Sequence, residues 1–270
     1  MNSGKKENKK YIRNLLYYLV ETTECYKKVI YGVTMWDYFV ALLLSVIAPS
    51  FLISYLFWAG FAKSKGIIFL LFLLFYFLFT DFSITDYFKN YVYVEIDFEE
   101  GTIILKTLFG EKKVVKKDEI QGVVFESEKK GNKRYVKFYL TNGEKIVINS
   151  SIFSMKNNEK GVFYEAVYSL YFHIIKLVGR EKIISYQSII EFNQRLFKRL
   201  KKKPENRNTE HIFNLLLFLV YFFRLMGTTS EDYYKKFAKE HGLPDDFPEL
   251  CKQAEKELEL IISEVKSNCG

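Results

Sequence analysis

Two unbroken apolar runs dominate the pattern: Tyr38 to Ala62 and Gly66 to Thr80, joined by Lys63-Ser64-Lys65. As helices rising about 1.5 Å per residue, the first spans roughly 37 Å and the second about 22 Å. The pair predicts a transmembrane hairpin over 38–89, with the shorter span borrowing flanking residues or thinning the bilayer. Trp36, Tyr38 and Trp58 suit the aromatic belts of a spanning helix. Pro49 sets a mid-span kink, and Asp81 marks where the second span must end. Ahead of the runs, residues 1–37 are basic, with Ile12, Leu15, Leu16 and Leu19 at helical spacing. They predict an amphipathic segment lying in the headgroup region, with a partner-docking helix as the alternative.

From Tyr91 the period shifts toward two. Tyr91–Asp97, Thr102–Phe109, Lys113–Lys117, Ile120–Ser127, Arg134–Leu140 and Glu144–Ile148 read as six short strands separated by turns. In Arg134–Leu140, Val136, Phe138 and Leu140 share one face while Tyr135, Lys137 and Tyr139 share the other. Asn142-Gly143 predicts a type I′ hairpin turn. Six strands at this spacing form an antiparallel meander that closes into a sandwich or partial barrel.

Helical periodicity returns at Phe163, Val167, Leu170, Ile174 and Leu177, with Gly179 as the stop. This helix caps the sheet, giving a β domain over 90–178. A second helical stretch, Ile183 to Leu200, ends in a cluster of cations, and Pro204 to Asn208 is the linker closing 179–208. Residues 209–270 read as all helical. Ile212 to Phe223 is apolar all round but only 12 residues long, which favours a buried or interfacial helix over a third span. Ser230 caps the next helix, Gly242-Leu-Pro ends it, and Leu250, Ala254, Leu258, Ile261 and Val265 line the last. The expected fold class is an α+β membrane protein: a two-helix hairpin, an antiparallel sandwich or partial barrel with its capping helix, and a helical C-terminal region.

Charge sharpens this picture. The net charge of +8 is uneven, since Glu231 to Gly270 holds ten acidic and six basic side chains. Lysine outnumbers arginine 33 to 7, which argues against bidentate reading of bases and hence against nucleic acid as a partner. Lys5, Lys6, Lys9, Lys10, Arg13, Lys27 and Lys28 precede the first run, whereas the loop between the runs holds only Lys63 and Lys65. The positive-inside bias then predicts an integral plasma-membrane protein with both termini cytoplasmic. Cys25, Cys251 and Cys269 have neither metal-like nor redox spacing, so unpaired thiols in a reducing compartment are expected.

Chemistry-bearing motifs are scarce. The candidate site is the cluster Arg195, Lys198, Arg199, Lys201, Lys202 and Lys203, six cations in nine residues. Beside a membrane, each could contribute about 1 kcal/mol toward an anionic leaflet. The plainer reading is a solvated helix end favoured by the helix dipole. Lys129, Lys130, Lys133 and Arg134, interleaved with Glu126 and Glu128, read as a solvated hairpin tip. His173, His211 and His241 have no second ligand at i+3 or i+4, so no metal and no cofactor is expected. No glycine-rich phosphate loop, nucleophile elbow or carboxylate pair points to catalysis.

The ordered pattern of Val92–Asp97, the turn Phe98-Glu-Glu-Gly101, Lys117-Asp-Glu-Ile120, Tyr135–Leu140, Lys145–Asn149 and Ile152-Phe153 resembles the bacterial PH-like membrane proteins. The YcxB-like group is the nearest in this respect, and the resemblance covers residues 38–178. It implies a PH-like domain beside a two-span hairpin and says little of activity. Two departures stand out: no seventh strand is legible after Ser150, and 179–270 lie outside the pattern. Phosphoinositide-binding PH domains carry cations at the first β-turn; here Glu99 and Glu100 stand there, which argues against headgroup recognition. The resulting expectation is a membrane-anchored, non-enzymatic binding or scaffold module that presents its domain to an unidentified protein partner. The lipid bilayer, including anionic lipid, is the other expected contact. The alternatives are an accessory subunit of a larger transport, secretion or immunity-type complex, and a lipid-modifying membrane enzyme.

Overall fold

The computed structural model describes residues 16–33, 90–128, 133–155, 163–201 and 209–269. The chain opens with a helix, α1 (residues 16–24), then β1 (Lys28–Gly32). There follow β2 (Tyr91–Asp97), β3 (Thr102–Thr107), β4 (Lys112–Lys116), β5 (Ile120–Ser127), β6 (Arg134–Leu140), β7 (Lys145–Asn149) and the two-residue β8 (Ser154–Met155). The second half holds α2 (Phe163–Val178), β9 (Ile183–Ser185), α3 (Gln187–Leu200), α4 (Thr209–Leu225), α5 (Glu231–His241) and α6 (Phe247–Asn268).

Two sheets form the β part. One runs β4-β3-β2-β1-β8 and is antiparallel throughout; the other runs β7-β6-β5-β9, with β9 parallel to β5. Strand alternation explains which faces meet. Val94, Ile96, Ile103, Leu105 and Val115 are buried on the first sheet, and Val123, Phe125, Val136, Phe138, Ile146 and Ile148 on the second. At the β6–β7 turn three residues, 141–143, lie between the bonded Leu140 and Glu144, rather than the expected two. Gly143 N–H returns to the Leu140 carbonyl, and Gly143 takes φ +82°, a conformation open to glycine.

The strand missing after Ser150 stands at the other end of the chain. β1 pairs with β2 in register Lys28↔Asp97 to Gly32↔Tyr93, and on its other side with β8. Val33 N–H bonds the Val92 carbonyl, so the described residues on either side of 34–89 stand next to each other. α1 is likewise internal. Leu16, Leu19, Val20, Thr22 and Thr23 are buried, which corrects the expectation of a helix lying on headgroups. Ile12 and Leu15 lie outside the described residues.

The expected membrane architecture is corrected as well. Among the described residues no helix is long and apolar enough to cross a membrane. The hairpin 38–89 lies outside the described residues. The described residues form an α+β fold of two sheets and flanking helices, and they lend no support to the expected integral-membrane localisation with both termini cytoplasmic. The expected burial of Ile212 to Phe223, in place of a third span, is seen at α4. Its apolar run is covered by protein, with Leu216, Leu217, Leu219, Val220, Tyr221, Phe222 and Phe223 buried against α2, α3 and α6. A helix apolar all round belongs in whichever apolar medium surrounds it, and here that medium is the core. One contiguous core runs from the inner faces of both sheets through α2 to α4, α5 and α6.

Candidate functional site

The most chemically suggestive side chain, His173, lies fully buried on α2. Its Nδ1 accepts the Tyr31 hydroxyl of β1, and its Nε2–H donates to Thr22 Oγ1 of α1 at 3.0 Å. Thr22 spends its own proton on the carbonyls of Tyr18 and Leu19, at 2.9 and 3.1 Å, so Nε2 must carry the hydrogen of a neutral imidazole. Phe98 closes the site edge-on at 5.9 Å. Burial, then the Lys176 ammonium, push the imidazole down to about 3. Both ring nitrogens are engaged, and the ring ties α2 to α1 and β1 at the far end of the sequence. It is a structural rivet.

The cysteines depart from expectation. Cys25, just after α1, and Cys269, the C-cap residue of α6, are joined as a disulfide with their Cα atoms 5.7 Å apart. Cys251 is free and buried in α6, and desolvation raises its thiol far above the ordinary range.

The basic cluster is only partly gathered. Arg195, Lys198 and Arg199 fall on α3, whose Ile189, Leu196, Phe197 and Leu200 face the core. Lys198 and Lys201 are exposed, and Lys201 Nζ comes up beside Gly242 at the C-terminal end of α5, where a cation complements the helix dipole. Lys202 and Lys203 lie outside the described residues, as do Lys129 and Lys130. Among the described residues no group of His, Cys, Asp and Glu has the arrangement of a metal site.

A different surface emerges on the sheet β7-β6-β5-β9. Its outer side carries the half-buried Val124, Tyr135, Lys137, Tyr139 and Val147, with Ile184 of β9 66% exposed beside them. A cleft of about 500 Å³ opens on this side, lined by Glu126, Ser127, Glu128, Tyr135, Lys137, Val147 and Gln187. Glu126 pairs with Lys137. Ser127 donates to Glu191 of α3, whose other carboxylate oxygen accepts from Gln187 at 2.9 Å. The Leu140 N–H bond to the Glu144 carbonyl fixes the alternation of the β6–β7 ladder. Ile146 and Ile148 are bonded to β6, while Lys145 and Val147 direct their N–H and C=O away from it. Among the described residues no strand pairs with that side of β7. The other open edge, β4, carries Lys112, Lys113 and Lys116 in five residues, a composition that resists strand addition.

Sequence reasoning placed Tyr135, Lys137 and Tyr139 on one outer face but missed the cleft. Its wall includes Gln187 at the start of α3, reached through the parallel β5–β9 pair, and no local pattern announces that pairing. No family model, curated protein or solved structure matches this chain, and nothing supports the expected PH-like domain.

Proposed function

We propose that this chain is a non-enzymatic protein-binding module that takes an extended segment of a partner along the free edge of β7. The observation that carries the reading is the meeting of two features at Val147. Its backbone groups face outward from the sheet edge, and its side chain lines the adjacent cleft. Strand addition draws affinity from such main-chain groups and specificity from a neighbouring pocket. Among the described residues the pocket wall holds two carboxylates, Glu126 and Glu128, against the ammonium of Lys137, which favours a Lys or Arg side chain on the incoming strand. The non-enzymatic part is supported by His173 and Cys251, both committed to the interior.

The test is a selection of phage-displayed random peptides on the full chain, with affinities then measured by fluorescence anisotropy. Selected peptides should be enriched in basic residues. Val147→Pro removes an outward N–H without touching the β6 ladder and should weaken binding at least tenfold. Val114→Pro on the β4 edge should leave binding unchanged. Failure to select any binder, or equal affinity for the Val147→Pro protein with an unaltered melting curve, would refute the reading.

A further inference from the structure

We propose that Cys25 and Cys269 form a reversible redox clasp that locks α1 onto the C-terminal end of α6. This is independent of the partner that β7 takes. The pair is 244 residues apart in sequence and is brought together where α1 ends and α6 ends. Around it, the two helices also meet through polar contacts at the surface. Tyr17 donates to Glu264 at 2.6 Å, and Lys266 pairs with Glu24 at 3.2 Å. Contacts of this kind contribute little each, whereas a disulfide closing so long a loop is a strong constraint on the chain.

Cys269 is exposed, and a small disulfide or thiol can reach it. The only other thiol, Cys251, is fully buried and cannot compete, so the clasp has a single pairing. Glutathione disulfide is the oxidant by class. The Cys269 thiolate attacks it, forming a mixed disulfide and releasing one glutathione. The Cys25 thiolate then displaces the second glutathione as the protein S–S bond forms. Two protein thiols become one disulfide, and the two electrons and two protons leave on two glutathione molecules.

What the clasp controls is the seating of α1. That helix buries Leu16, Leu19 and Val20, donates Thr22 to the His173 network, and leads directly into β1. Reduction leaves α1 held by its non-covalent contacts, and its amides open more often.

The experiment equilibrates the full-length protein across a series of glutathione ratios. Free thiols are counted by alkylation after acid quench, and hydrogen exchange is followed over 16–24 and 260–269. Cys25 and Cys269 should lose reactivity together as the buffer becomes oxidising, while Cys251 reacts only after denaturation. Exchange across 16–24 should slow at least tenfold on oxidation and recover on reduction. A Cys269→Ser protein should show the fast exchange at every ratio, and Cys251→Ser should behave as the parent. Failure of the two thiols to pair at any ratio would overturn the proposal, as would pairing with no change in exchange, or an altered response in Cys251→Ser.

Discussion

Lowering the pH should destabilise this fold through His173 in a way that one substitution isolates. The imidazole is fully buried and neutral, with its ordinary value of 6.5 pushed down to about 3. Between those two values the unfolded chain binds a proton that the folded chain does not. Stability therefore rises with pH across this window and is lost as pH falls below 6.5. One unit of such a shift corresponds to about 1.4 kcal/mol, and integrating from pH 7 to pH 5 gives a loss of about 2 kcal/mol. The groups facing the ring sharpen the effect. Thr22 and Tyr31 satisfy the neutral form, Phe98 offers no hydrogen-bond acceptor, and Lys176 repels a second cation. Urea unfolding at pH 7, 6 and 5 should show this slope in the parent. His173→Gln, neutral throughout, should be less stable at pH 7 but flatter with pH by about 2 kcal/mol over the same range. Parallel pH dependences in the two proteins would refute the argument, because the proton taken up on unfolding would then belong to another group.

Two further substitutions probe the helical half. Phe223 is fully buried among Phe237, Tyr233 and Tyr234 at centroid distances of 4.9, 5.2 and 5.7 Å. Phe223→Ala should cost about 3–5 kcal/mol in chemical denaturation, and a loss below about 1.5 kcal/mol would mean the cluster is not packed as described. Ser230 Oγ accepts the Tyr233 N–H at 3.2 Å and caps α5. Ser230→Ala should cost about 1 kcal/mol and Ser230→Asp should restore it, as read by the urea midpoint; no difference between the two would discount the cap.

The sequence by itself was informative wherever the signal is local. Strands β2 to β7 lie within two residues of where side-chain alternation and turn residues placed them, because a strand with one buried face must alternate. The helix ending at Gly179 and the Ser230 cap were legible for the same reason, since caps and stops are chemistry among near neighbours. The apolarity of Ile212 to Phe223 could be read, and its 12-residue length favoured burial or an interface over a third span, but which elements would cover it could not be read. The packing of α2, α3 and α6 around α4 supplies that cover.

What tertiary structure alone decided depends on pairs far apart in the chain. β1 completes a sheet with β2 across the whole 34–89 connection, and α1 turns inward because His173, 151 residues later, accepts it as a neighbour. The Cys25–Cys269 pair and the cleft between β5, β6, β7 and α3 arise in the same way. Periodicity reports which face of an element is apolar. It carries no information about which distant element covers that face, because that choice is settled by the joint burial of many surfaces at once.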